Sequence, residues 1–357
     1  MTTRRGFLAS LLAASTLPSL SWADAGSPTY LAAAKMADGT FALHGITAQG
    51  LTVFAIPLPA RGHAATAHPT RPEAVAFARR PGVYAIILNC ANGAVITRLA
   101  PPHGIQFNGH GCFSHDGQIL YTSEVIGTTS EGRIGLWDAS DGYTRMTSWP
   151  SGGIGPHDLK RLPGSDILVA ANGGIQTDPD DRTKLNIETM RPNLAYLDGA
   201  GKIKDLIELD PDYRQNSIRH LAIAADKTVA FALQWEGDPA EPVPLLGLHK
   251  QGKAPQLCEM PEAEMFVMQG YAGSIAFDPT GQEVAITSSH GGAVQIYGRD
   301  GAFLTGILRA DASGIAPAAS GFLLTDGFGA VSSIIGHALV PMTQGNALWD
   351  NHLVALI

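Results

Sequence analysis

Five histidines, His63, His110, His157, His220 and His352, stand at one recurring place in this chain. A turn residue aligns seven positions later: Gly117 and Gly164 follow His110 and His157, and Gly281 and Gly321 follow Ser274 and Gly314. His220 to Lys227 and His63 to Thr70 keep the spacing without glycine. Neutral imidazole is a transition-metal ligand, and several imidazoles facing one cavity would repel if protonated, so crowding favours the ligating form. The chemistry expected is metal or charged-ligand binding. Imidazole alone does not choose among iron, copper, zinc and nickel; iron or copper is the favoured ion. Glu124, at the end of the strand that follows His110, is the candidate carboxylate ligand. Asn172 and Gln234 end the equivalent strands after His157 and His220, and Asn351 precedes His352; these amides are expected to orient imidazoles from behind. Arg61 and Arg219, close to His63 and His220, would serve an anionic ligand or pair with Asp350 and other carboxylates. Histidines at strand starts also serve to hydrogen-bond a neighbouring strand, and spacing leaves both uses open.

The elements that position these residues are short strands. Seven segments start at 63, 110, 157, 220, 274, 314 and 352. A weak repeat of roughly 40–50 residues built from strands is the pattern of a β-propeller. Runs such as Gln118–Ser123, Asp166–Ala171, Thr228–Leu233 and Glu283–Ser288 read as buried strands, punctuated by Asp116-Gly117, Asp141-Gly142, Asp198-Gly199 and Asp300-Gly301. The last segment has room for one strand, Leu353–Ile357, and the N-terminal region supplies three more, Tyr30–Ala34, Thr40–His44 and Leu51–Ile56. The expected fold is an all-β, seven-bladed propeller closed by pairing of N- and C-terminal strands, which leaves no free edge between first and last blades. The aligned residues then stand just before the innermost strands, at one mouth of the central channel, and opposite members are too far apart to share one ion. The histidines occupy consecutive blades seven, one, two, three and four, and Ser274 and Gly314 leave the remaining arc open. His44, His68, His103, His115, His249, His290 and His337 fall outside the alignment and read as loop or surface residues. Gln176–Asn193 and Glu236–Val243 read as rim loops.

Residues 1–25 read as an address rather than fold. Thr3-Arg4-Arg5-Gly6-Phe7-Leu8 is a twin-arginine export pattern, and the apolar stretch to Leu20 is too short and too polar to span a bilayer. Cleavage after Ala23 or Ala25 would leave one propeller domain, residues 26–357, in the periplasm. A formal charge of −8 with no basic run argues against nucleic acid or anionic lipid as a partner. Cys90, Cys112 and Cys258 permit at most one disulfide and read as small buried thiols. No nucleophile elbow or phosphate loop supports a hydrolase or nucleotide-binding reading.

Over nearly all of the chain after residue 25 these motifs resemble a family of twin-arginine-exported bacterial propeller-like proteins of unknown function. The resemblance rests on Arg61-Gly62-His63, His68-Pro69-Thr70-Arg71-Pro72-Glu73, Asn108-Gly109-His110-Gly111 and Gly153-Ile154-Gly155-Pro156-His157-Asp158. It extends through Ala171-Asn172-Gly173-Gly174-Ile175, Thr189-Met190-Arg191-Pro192, Ser217-Ile218-Arg219-His220-Leu221 and Trp349-Asp350-Asn351-His352. His115 stands where the family usually has proline, and Asp158 where glutamate is usual. Family genes often lie near imelysin-type iron-uptake lipoproteins and di-haem oxidoreductases. The resemblance therefore implies a periplasmic role linked to iron, with an imelysin-type lipoprotein or a cytochrome-type oxidoreductase as partner. The leading expectation is a periplasmic metal-binding protein, an iron-uptake accessory. Two others stay open: a metal-dependent enzyme, redox or lactone-hydrolysing, with Glu124 as base, and a protein-binding scaffold whose histidines are structural.

Overall fold

Strand-forming runs become strands wherever branched and aromatic side chains can be covered on both faces. Val229–Trp235 and Glu283–Ser288 are buried along nearly their whole length, as strands sandwiched between neighbouring sheets must be. The computed structural model describes residues 20–356 apart from residues 80, 81, 83 and 180. The twin-arginine pattern at Thr3–Leu8 lies outside the described residues.

Seven four-stranded antiparallel sheets form the molecule. Their first strands, which we number as blades one to six, are Gly62–Ala67, Ile105–Phe113, Pro156–Arg161, Asn216–Ile223, Ser274–Phe277 and Ala312–Pro317. Blade seven starts with the C-terminal strand Leu348–Ala355, which pairs antiparallel with Tyr30–Lys35, followed by Phe41–Ile46 and Thr52–Leu58. First strands of successive blades touch one another all the way round, from blade seven back to blade six. The chain is an all-β, seven-bladed propeller closed by its two ends, as the repeat predicted. Leu348–Ala355 begins before His352 rather than after it. All five aligned histidines accordingly lie inside the innermost strands, not ahead of them.

Apolar packing is distributed between adjacent blades, for example Phe77, Phe107 and Trp137 across blades one and two, or Tyr30, Leu323 and Trp349 across blades six and seven. This arrangement puts hydrophobic residues on the sheet faces and leaves the axis free for polar groups. The turn seven positions after five of the aligned residues has a left-handed backbone: Gly117, Gly164, Gly281 and Gly321 have φ between 63° and 73°, and Lys227 accepts φ 71°. Residues 173–192 and 236–245 form the long excursions between second and third strands of blades three and four. Cys90, Cys112 and Cys258 are unbridged, and burial pushes each thiol up to about 12. No helix of the described residues is long and apolar enough to cross a membrane.

Three of the unaligned histidines correct the surface reading. His44, His68 and His249 are buried. His68 accepts from the backbone N–H groups of Thr70 and Arg71 at Nδ1, and its Nε2 lies 3.0 Å from the Gly117 carbonyl. His249 lies 2.5 Å from the Tyr196 hydroxyl. His103, His115, His290 and His337 are exposed, as expected.

Candidate metal centre

Each histidine is aimed at the axis by a local defect in its strand. The ladder between first and second strands slips between Gly62 and Ala65, Phe107 and Gly111, Pro156 and Asp158, and Ile218 and His220. Against Tyr30–Lys35 the C-terminal strand skips from Leu353 to Trp349, across Asp350, Asn351 and His352. A bulge adds a residue to one strand and redirects its side chain. In blade two the bulged peptide is bracketed by Ser123, whose hydroxyl accepts from the His110 N–H and donates to the His110 carbonyl. Gly109, at φ 98°, is required there: a Cβ would stand 2.6 Å from Cδ2 of His63.

The five rings meet on the axis. His110 has ring centroids of His63, His157, His220 and His352 at 4.9, 4.9, 5.7 and 4.8 Å. His220 and His352, in blades four and seven and so three blades apart by the shorter way round, are also 4.8 Å apart. The rings of distant blades thus come closer than expected, because the side chains point inward and close a gap the backbones leave open. Each group of nitrogens near enough to hold one ion nonetheless comes from three consecutive blades. Two nitrogen triads result, His63 with His110 and His352, and His110 with His157 and His220, each with its ligand atoms within 4.8 Å. Nitrogens trans across an ion with ~2.1 Å bonds are about 4.2 Å apart, so small side-chain rotations would bring either triad to bonding distance.

Protonation and tautomer follow from the surroundings. Burial, reinforced by neighbouring histidines, holds His63, His157 and His352 well below the usual imidazole value and brings His220 down to about 3. These four rings are neutral at physiological pH. His110 Nδ1 is 3.3 Å from the Asp158 carboxylate. Asp158 is buried and also accepts from the backbone N–H groups of Leu159 and of Leu221 in the next blade. Burial alone would raise its pKa, but Lys160 and His110 outweigh that and hold it well below the carboxylate range. With Nδ1–H donated to Asp158, Nε2 of His110 presents a lone pair to the cluster, 3.2 Å from Nε2 of His63. Nδ1 of His63, His157 and His220 and Nε2 of His352 are buried without any hydrogen-bond partner. Buried polar groups are nearly always paired. Four unpartnered nitrogens on neighbouring neutral rings make these side chains a donor set suited to a soft or borderline cation.

The imidazoles form a waist rather than a mouth. Leu348–Asn351 and Arg61, which precede His352 and His63, line a cavity of about 470 Å³ with Arg79, Tyr271 and Asp311, while residues following the histidines line a second of about 430 Å³ that reaches His110, His220 and His352.

The other residues singled out by sequence lie elsewhere. Glu124 does not reach the waist: its fully buried carboxylate is held by Arg145 at 2.5 and 2.8 Å and by Thr122 at 2.7 Å. It sits in the second strand, a strand spacing farther from the axis, and alternation gives the inward-facing place to Ser123. Asn172 bonds Ser151 and Asn193, and Gln234 donates to the Ala272 carbonyl; neither amide touches an imidazole. Asn351 donates to the Tyr271 hydroxyl. Arg61 pairs with Asp350 at 2.6 Å, and Arg219 lies 3.5 Å from Glu236. Asp158 is the residue that sequence reading missed as an orienting group; its position directly after His157 was the available signal.

Residues 56–356 match the family described as "Protein of unknown function (DUF1513)". No curated protein matches the chain. Among solved structures, the chain is similar to Kuenenia stuttgartiensis hydrazine synthase, with TM-score 0.59 and 12% identity over 86% of this chain and 90% of that one. It is also similar to the WD40 repeats of RRP9, with TM-score 0.60 and 11% identity over 80% and 81% of the two chains. At such identities the likeness is one of propeller fold.

Proposed function

Because the chain belongs to the DUF1513 family of proteins of unknown function, its role has to be read from the site, and we propose that it binds one transition-metal ion at the histidine waist. The observation that carries this reading is the set of four buried, unpartnered imidazole nitrogens around His110. A purely structural set would bond neighbouring backbone, as His68 does. Here the side chains face one another instead. His110, fixed by Asp158, supplies the lone pair common to both triads, and His63, His157, His220 and His352 complete them. An ion there gives the unpartnered nitrogens a partner that the protein itself does not supply.

The export pattern at Thr3–Leu8 and the iron-linked company of the resembling family support a periplasmic, iron-handling role, with an imelysin-type lipoprotein or a cytochrome-type oxidoreductase as partner. Copper is the competing ion, since imidazole sets bind it strongly. The test is elemental analysis of protein recovered from the periplasm, followed by reloading with Fe(II) or Cu(II). About one equivalent per chain is expected. Metal-free protein that takes up neither ion would leave the scaffold reading standing.

A further inference from the structure

The cavity below the waist differs from the one above it. Its floor is His110, His220 and His352, and its walls include Ala64, Ala222, Ala276, Ala316 and Ala355. His220 and His352 are 3% and 8% exposed, with Nδ1 and Nε2 respectively lacking any partner. Small side chains on several strands keep about 430 Å³ free beside the rings of His110, His220 and His352. A pocket of that size, apolar along its walls and polar at one end, is the usual form of a small-molecule site.

Charge decides what fits its polar end. Neutral imidazoles leave both charges of a divalent ion uncompensated. The adjacent carboxylate, Asp158, already faces Lys160 at 3.9 Å and is held by two backbone N–H groups. The other acid lining the cavity, Asp278, accepts from backbone N–H groups of Thr280, Gln282 and Glu283 in its own turn. Arg161 adds a second cation to the wall, its Nε buried without a partner. A buried excess of positive charge calls for an anionic donor.

We propose that this cavity takes a small organic anion with an apolar body, its oxygen head directed at the waist ion and Lys160, and its body along the alanine walls. This rests on the metal reading and adds to it an open coordination position and a ligand class. The body would be recognised by burial of apolar surface and the head by charge.

Co(II)-loaded protein, whose visible spectrum reports coordination, provides the test. Benzoate should shift the spectrum saturably and bind roughly tenfold or more tightly than acetate, because the ring adds buried apolar area. Ala222→Phe should abolish the benzoate response while Co(II) content stays at the wild-type level; Ala355→Phe, on a different strand, gives the same readout if the first variant does not fold. An unchanged spectrum with Co(II) bound overturns the open position. Equal affinity for benzoate and acetate, or benzoate binding undiminished in both folded variants, overturns the cavity as its seat. Failure of the protein to bind Co(II) at all defeats the metal reading itself and this inference with it.

Discussion

The five blades with a histidine at the aligned position and the two with Ser274 and Gly314 there occupy equivalent places around one axis, yet they treat polar groups in opposite ways. In blade five, the Ser274 hydroxyl accepts the N–H of Ile315 from blade six, and Ser274 stands in a regular ladder. In blade six, Gly314 sits in a bulge bracketed by the Thr325 hydroxyl, which accepts its N–H and donates to its carbonyl. The same hydroxyl clamp holds His110 in blade two through Ser123. The backbone device is thus shared, and the side chain it presents is not. At the aligned places blades five and six satisfy their own polar groups; blades seven, one, three and four leave imidazole nitrogens unpaired around His110 of blade two. That contrast teaches where the fold stops being its own ligand.

Acid should break the contrast most strongly. His220 is brought to about 3, and His63, His157 and His352 are also well below the ordinary 6.5, chiefly by burial. The unfolded chain therefore binds protons below about pH 6.5 that the folded metal-free chain refuses, so stability falls as pH drops toward the folded values. Each such histidine contributes about 1.4 kcal/mol per pH unit inside that window. Urea unfolding of metal-free protein between pH 7.5 and 5 measures the slope; a flat profile would mean that the rings are not held neutral by the fold.

Replacing His110 by alanine should come next, because both triads lose their shared nitrogen. Metal affinity is expected to fall by more than about 100-fold, exceeding the roughly 10–100-fold typical of orienting groups, which is the range expected for Asp158→Asn. Exposed His115→Ala serves as the control. Isothermal titration with Co(II) compares the three, and equal affinities for His110→Ala and His115→Ala would remove His110 from the site.

Gly314→Ala probes the closed side and carries the smallest effect. Its Cβ would stand 2.7 Å from the backbone nitrogen of Leu353 and 2.8 Å from Thr325 Oγ1. A backbone neighbour cannot rotate away, so a loss of about 1–3 kcal/mol is expected from overpacking. Thermal unfolding reads it; an unchanged midpoint would show that blades six and seven are less tightly apposed than their contacts imply.

Some of this was written in the order of residues. Seven aligned starts, turns tolerant of left-handed backbone and a lone strand left at the C-terminus determine a ring closed by its own ends, since only that pairing covers both edges. The aligned positions also select His63, His110, His157, His220 and His352 from twelve histidines. What tertiary structure alone decided is how far inward each side chain travels. Bulges, invisible to a period-two pattern, turn the rings onto the axis and make a waist of what alignment places at a mouth. Strand parity gives Ser123, not Glu124, the place beside His110. Burial of His44, His68 and His249 depends on which sheet faces which neighbour, and the tie between Asp158 and His110 on two blades meeting at the axis. Repetition in sequence fixes which residues are equivalent; convergence is a property of the closed ring, because only closure sets the distances between blades that are far apart along the chain.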